Sequence, residues 1–280
     1  MIADYAFLTA VNVLLAWSVY VVLMTGMLSF ASGAFMAVGC YVASVLTVRF
    51  GWPMYGACAV AALAASLLGI LFGFPALRVR GIYLILVTLG ISISTVVVFE
   101  NIPYFGGSIG IGGMTGADYR DGLAAVVVVG AILAIVTRTP LQRVLDAVRE
   151  DDRVAASLVI NVVFVKVAAF AIGAAVAGFA GGLYGHYLGF VRPDTFNVDL
   201  ALFTVLYVIL GGTNNFWGPA LGAAVMTLLP EYVRFLHDWR PTVFAGLIVL
   251  ILLVRHEGLL TFRTPTQRLG SRMIGTDGRG

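Results

Sequence analysis

The sequence predicts an all-α integral membrane protein, a polytopic bundle of about eight to ten transmembrane helices. Three observations carry that expectation. First, 60% of the residues are hydrophobic and only 11% are charged, and the mean hydropathy is +1.00. Second, the apolar residues come in blocks that reach the ~20 residues a helix needs to cross the hydrocarbon core of a bilayer. Third, a chain of 280 residues is filled by about eight to ten such blocks at that length, leaving no separate soluble domain.

Taken in order, the spans read as 5–24, 29–48, 54–75, 82–102, 122–137, 164–188, 198–211, 216–235 and 241–255. The N-terminal stretch MIADYAFLTAVNVLLAWSVYVVL lacks a basic leading region and a small-residue cleavage site. It therefore reads as a first span rather than a removed leader. The seventh block is short and ends in Leu-Gly-Gly, which suits a broken or re-entrant segment packed inside the bundle. Residues 1–263 form the expected transmembrane domain. From Thr264 to the end the chain is polar and rich in Gly, Arg and Thr, the composition of a disordered cytoplasmic tail.

Orientation follows from where the basic residues fall, because cytoplasmic loops carry the excess of Lys and Arg. Of the 17, twelve fall in one set of loops: Arg78, Arg80, Arg138, Arg143, Arg149, Arg153, Lys166, Arg255, Arg263, Arg268, Arg272 and Arg279. Arg49, Arg120, Arg192, Arg234 and Arg240 fall in the other. The N-terminus is then outside and the C-terminus cytoplasmic. The basic excess follows membrane topology, which leaves no reason to invoke nucleic acid. Cys40 and Cys58 sit in apolar runs and read as packed small hydrophobes. His186, His237 and His256 show no metal-ligand spacing; no metal, cofactor or catalytic group is expected.

Between spans five and six the chain changes character. From Arg138 to Arg153 stand Arg138, Arg143, Asp146, Arg149, Glu150, Asp151, Asp152 and Arg153, about a quarter of all the charges. Thr139, Pro140 and Gln142 have the spacing of a capping box. Leu141, Val144, Leu145 and Val148 then recur at helical period. The pattern predicts one amphipathic helix from Thr139 to about Ala156, in a cytoplasmic loop at about 138–163. It is short and acidic for a membrane-surface anchor. Composition alone fits a solvated loop helix as well as a partner-docking helix.

Two other stretches stand out. Gly173, Ala177, Gly181 and Gly185 lie four apart, with Ala174, Gly178 and Gly182 alongside, a ridge that lets helix backbones approach closely in lipid. Ordinary packing explains it more readily than a substrate path. The connection 103–122 is Gly-rich, as a docking loop or a mobile connector would be. In the fourth span, Thr88, Ser92, Ser94 and Thr95 are polar candidates for a path lining, although such hydroxyls commonly bond within their own helix.

Nothing in the chain supplies energy for transport. No Asp, Glu, Lys, Arg or His falls at a span's centre, where ion-coupled carriers place them. There is no G-x-x-x-x-G-K-[ST] loop, and Lys166 is the only lysine, so no P-loop holds ATP here. No paired carboxylates or Ser/His/Asp arrangement within a span suggests an enzyme. An ion-coupled secondary carrier of small organic solutes remains the contrasting reading, and the missing central charges weigh against it.

Several stretches sharpen this. FPALRVRGIYLILVTLG (74–90), LDAVREDDRVAASLVINV (145–162), AGFAGGLYGHYLGFVRPDTF (177–196), VILGGTNNFWGPALGAAVMTLLPEYVR (208–234), RHEGLL (255–260) and GMLSFASGAFMAVGCYVA (26–43) resemble, in order and over nearly the whole chain, the membrane subunits of branched-chain amino acid ABC importers, most closely the M-type. The resemblance implies a type II importer permease fold and a path formed with a second, H-type permease subunit. It implies two cytoplasmic ATPase subunits, a substrate-binding protein, and a bacterial or archaeal cytoplasmic membrane. Residues 149–161 then correspond to the family's coupling loop, matching it at Arg149, Glu150, Asp151, Ala155, Ile160 and Asn161. The ATPase-coupling residues implied are Arg143, Leu145, Arg149, Glu150, Asp151 and Ala155. Asp118, Arg120, Arg192 and Asp194, with Asp121, are the exposed charges expected to meet a binding protein.

The chain departs from the family pattern at some positions. Val159 replaces the usual glycine, and Asp146 stands where a basic residue is common. Met27 and Ser32 replace residues that are often Gln and His, and Asn214 and Asn215 stand where Gly-Ser is common. These departures bear on substrate, since relatives of the same fold also serve urea, amides and other small molecules.

Overall fold

The computed structural model describes residues 2–76, 79, 81–213 and 215–232. The ninth expected span (241–255), the tail from Thr264, and Arg78, Arg80, Asn214, Arg234 and Arg240 lie outside the described residues. Among the described residues ten α-helices follow one another: α1 (Ile2–Leu23), α2 (Ser32–Phe50), α3 (Met54–Ala76), α4 (Ile82–Asn101), α5 (Tyr119–Val136), α6 (Leu141–Glu150), α7 (Asp152–Ser157), α8 (Val162–Leu188), α9 (Val198–Gly211) and α10 (Trp217–Tyr232). Among the described residues seven helices are long and apolar enough to cross a membrane, and Trp217–Leu229 is a shorter apolar helix. The expected ends of the first seven spans agree with these helices to within three residues.

Helix α8 is the centre of the bundle, flanked by α1, α2 and α3. Its small residues are the reason. A methyl group at Gly173 would sit 2.6 Å from the Ser18 carbonyl oxygen, and one at Gly182 would sit 3.0 Å from Cys58 Sγ. In lipid there is no hydrophobic drive between apolar helices, so close van der Waals packing over such a ridge holds them together. The ridge is a packing device, and Cys40 of α2 and Cys58 of α3 are free buried thiols packed against it.

The other helices are placed by a few polar ties. α9 and α10 form a helical hairpin packed on α1. Trp17 Nε1 donates to the Phe216 carbonyl at 2.7 Å, and Asn12 donates to Thr227 Oγ1 at 2.8 Å. Before α9 begins, the chain dips into the bundle. Phe196 is fully buried, in edge contact with Tyr41 and Tyr184, while Tyr41 stacks on Phe99 at 4.2 Å.

The all-α expectation has one small exception. β1 (Ile111–Gly112) pairs antiparallel with β2 (Phe190–Val191), in the register Ile111 with Val191 and Gly112 with Phe190. The Gly-rich 103–118 connection and the 189–197 connection are thereby tied into one platform at one end of the bundle. The charged segment lies at the opposite end.

Candidate functional site

The charged segment folds as two helices rather than the single helix its periodicity predicts. α6 stops at Glu150 because Asp151 is extended (φ −155°, ψ 117°), and the Asp151 side chain then caps α7 by accepting from Arg153 N at 2.7 Å. The expected capping box at Thr139 is also replaced. Thr139 Oγ1 donates back to the Val136 carbonyl at 2.8 Å, Gln142 Nε2 turns to Asp146 at 2.8 Å, and α6 begins at Leu141. Two acceptors closer to hand, the end of α5 and a carboxylate one turn along, capture the groups the box needed.

Leu145, Val148 and Ala155 face inward and are buried. Arg143, Arg149, Glu150 and Asp151 are exposed. The outer surface also carries apolar side chains: Leu141, Val154, Leu158 and Val159 are all exposed. Of the stripe the periodicity predicts, Leu145 and Val148 are buried, Val144 is half-buried and Leu141 is exposed. Val154 and Leu158 were missed because they lie in and just after a second, shorter helix with its own phase.

The segment ends in a Schellman-type cap. Val159 N–H donates to the Ala156 carbonyl at 3.1 Å and Ile160 N–H to the Ala155 carbonyl at 3.3 Å, the paired bonds that satisfy the last carbonyls of a helix. That cap needs a left-handed residue, and Val159 takes it with φ 63°. The glycine usual here in the resembling family meets the same demand without a Cβ.

Three contacts tie the segment to the bundle. Lys166 Nζ, on α8, lies 2.7 Å from both carboxylate oxygens of Asp152. Arg149 Nη2 donates to Thr213 Oγ1, in the α9–α10 turn, at 3.3 Å. Gly26, in the α1–α2 connection, lies so close to α6 that a methyl there would be 3.4 Å from Arg149 Cα and from its carbonyl oxygen. Between the segment, this connection and the start of α4 is a cavity of about 460 Å³, bordered by Met27, Leu84, Arg149, Asp152 and Lys166.

On α4 the four hydroxyls divide. Thr88 and Ser92 are fully buried. Thr88 Oγ1 accepts from Phe30 N–H at 3.0 Å and donates to the Leu84 carbonyl at 2.9 Å. Ser92 Oγ donates to the Phe30 carbonyl at 2.7 Å. Thr95 is half-buried and donates to Ile91 of its own helix at 2.8 Å, while Ser94 is exposed. It shares its face with Tyr83, Val87 and Gly90, all exposed.

At the platform the expected docking charges are mostly engaged nearby. Asp118 precedes α5 and its N–H donates to Asp121 Oδ2 at 2.7 Å, while Tyr55 donates to Asp121 Oδ1 at 2.7 Å. Arg120 Nε donates to Tyr119 at 3.3 Å. Arg192 pairs with Asp194 at 3.3 Å, both exposed. Sequence reading missed Arg49, which donates to the Tyr104 carbonyl at 2.6 Å and lies 3.9 Å over its ring. Only the fold brings these two residues together.

Comparison with known proteins is consistent with this architecture. The family model described as the branched-chain amino acid transport system / permease component matches residues 1–254. The high-affinity branched-chain amino acid transport system permease protein LivM of Escherichia coli is 31% identical over 95% of this chain and 71% of its own length. The probable LivM of Methanocaldococcus jannaschii is 28% identical over 72% of this chain and 67% of its own length. LivH of Escherichia coli is 30% identical over 46% of this chain and 42% of its own length. No solved structure matches. A multi-pass helical bundle, a family match that spans nearly the whole chain and a LivM-like length of alignment converge: the chain belongs to the branched-chain amino acid transport system permease family, as an M-type permease.

Proposed function

We propose that this chain forms half of the translocation path of an ATP-driven importer of branched-chain or closely related amino acids. It works with an H-type permease subunit, two cytoplasmic ATPase subunits and a substrate-binding protein. In this reading the end of the bundle bearing α6 and α7 faces the cytoplasm of a bacterial or archaeal cell, and the N-terminus lies outside. The basic excess at that end supports the orientation.

The observation that carries the proposal is the two-sided build of α6–α7. Its inner side, Leu145, Val148 and Ala155, is packed into this chain. Its outer side presents Leu141, Val154 and Leu158 among Arg143, Glu150 and Asp151. A solvated loop helix has no use for three exposed apolar side chains beside a charged rim; a groove in an ATPase subunit does. The rim charges set register and contribute little energy singly.

At the opposite end, the β1–β2 platform with Asp118, Arg120, Arg192 and Asp194 is the docking surface for the binding protein. Ser94 and Thr95, on the sparsely buried α4, are assigned to the path. The LivM relatives carry branched-chain amino acid transport in their names, and ligand screening of the cognate binding protein tests whether this chain's substrate is the same.

The coupling reading is tested by Val154→Asp combined with Leu158→Asp in a reconstituted complex. Both side chains are exposed, so the bundle should still insert and pair. ATP-dependent uptake should fall about tenfold or more, the loss expected when central anchors of an interface are removed. Uptake at the wild-type rate would mean the segment is only a solvated loop.

A further inference from the structure

We propose that the α1–α2 connection, residues 24–31, is a strut that passes the motion of the coupling segment to α4, with Phe30, Thr88 and Ser92 as positioning residues. The inference rests on the coupling reading above and extends it inward.

At its near end the connection lies on α6. Gly26, with φ 79°, faces Arg149, whose Cα and carbonyl oxygen would stand 3.4 Å from a Cβ built there. The left-handed turn is what favours glycine there, and a Cβ would reach ordinary contact with Arg149. Met27 continues along the cavity that separates the coupling segment from the start of α4.

At its far end the connection is gripped by α4. Thr88 and Ser92 stand one helical turn apart, and each takes one polar group of Phe30: Thr88 Oγ1 accepts its N–H, and Ser92 Oγ donates to its carbonyl. Phe30 has no helical partner of its own here, since α2 begins only at Ser32. In a buried setting an unpaired backbone group is costly, so the grip is strong and directional. Phe30, Thr88 and Ser92 are all buried.

The path runs from α6 at Arg149 to Gly26, along a short irregular run to Phe30, then through two side-chain bonds to the middle of α4. α4 is also the helix with Ser94 on its exposed face. A displacement of α6 towards the connection closes the space between Arg149 and Gly26. A displacement of Phe30 must move α4 or break two buried bonds. The test therefore reads coupling directly.

The experiment is Thr88→Val with Ser92→Ala, in the complete complex reconstituted in proteoliposomes with binding protein. The strut predicts normal assembly, basal ATP hydrolysis within about twofold of wild type, and uptake per ATP lowered about tenfold. The loss should be equal for leucine, isoleucine and valine. Unchanged uptake per ATP overturns the strut. A loss confined to one of these substrates also overturns it, because it would place the hydroxyls in the path.

If the double variant fails to assemble, Ser92→Ala against Ser92→Thr decides. The alanine variant should lose coupling and the threonine variant, which keeps the hydroxyl, should restore it; equal behaviour overturns the proposal. The Val154→Asp, Leu158→Asp complex separates the two readings. If it uncouples while the hydroxyl variants transport normally, only the strut fails. If it transports normally, the coupling segment fails and the strut with it.

Discussion

Lys166 and Asp152 meet across the junction of α7 and α8, with the ammonium 2.7 Å from each carboxylate oxygen. Their side chains are only 14% and 25% exposed, and fourteen residues of chain separate them. The pair fixes the start of α7 to the central helix of the bundle.

Lys166→Met keeps the stem and removes the charge. It should destabilise the α7 attachment by about 1–3 kcal/mol, less than a fully buried pair because water still reaches both groups. Hydrogen exchange at 152–157 should quicken while exchange in the middle of α8 stays slow. Asp152→Asn added to Lys166→Met should recover part of the loss, since no carboxylate then lacks its cation. Unaltered exchange in the single variant would show that buried Ala155 and its neighbours hold α7 without the ion pair.

Val159 sits at φ 63° with its side chain almost fully exposed. A β-branched residue in the left-handed region is strained by about 1–2 kcal/mol, and its side chain gains nothing from burial here. Val159→Gly should stabilise the α7 cap by about 1 kcal/mol after the extra chain entropy of glycine is counted. A higher resistance of the 150–162 segment to limited proteolysis would show it. Faster cleavage than in the parent chain would mean that the valine is held by a contact with a partner subunit.

Gly173→Val should be among the most damaging single changes in the bundle. Its new Cβ would stand 2.6 Å from the Ser18 carbonyl oxygen and 2.9 Å from Val22 Cγ2, and neither the α1 backbone nor a β-branched neighbour yields easily. Overpacking of this kind costs about 1–3 kcal/mol or more. Gly90→Ala is the control, because a methyl there meets nothing within 4 Å. The thermal midpoint of the purified protein in detergent should drop for Gly173→Val and hold for Gly90→Ala. Equal midpoints would mean that α1 and α8 are less tightly packed than the structure has them.

The helices were legible in the sequence because the bilayer imposes a length and a composition on anything that crosses it. Blocks such as 54–75 and 82–102 could be read to within a residue or two of α3 and α4, and α8 announced its packing role through its small residues. The charged segment was legible as a site because eight charges in so apolar a chain need a reason. What the sequence could not decide was which partner each polar group would choose. Thr139 had the spacing of a cap, but Val136 of the preceding helix offered a nearer acceptor. Asp151 looked like one more charge on a helix and became the break that divides it. The hydroxyls of Thr88 and Ser92 could line a path or bond within their own helix, and packing sets both against the backbone of Phe30, some sixty residues away. Arg49 and Tyr104, and the two connections joined by β1 and β2, are likewise distant in sequence. Span length and hydropathy are local quantities fixed by a solvent that is the same everywhere along the chain. Hydrogen bonds are short-ranged and directional, so their partners are decided only when packing brings distant segments within about 3 Å of each other.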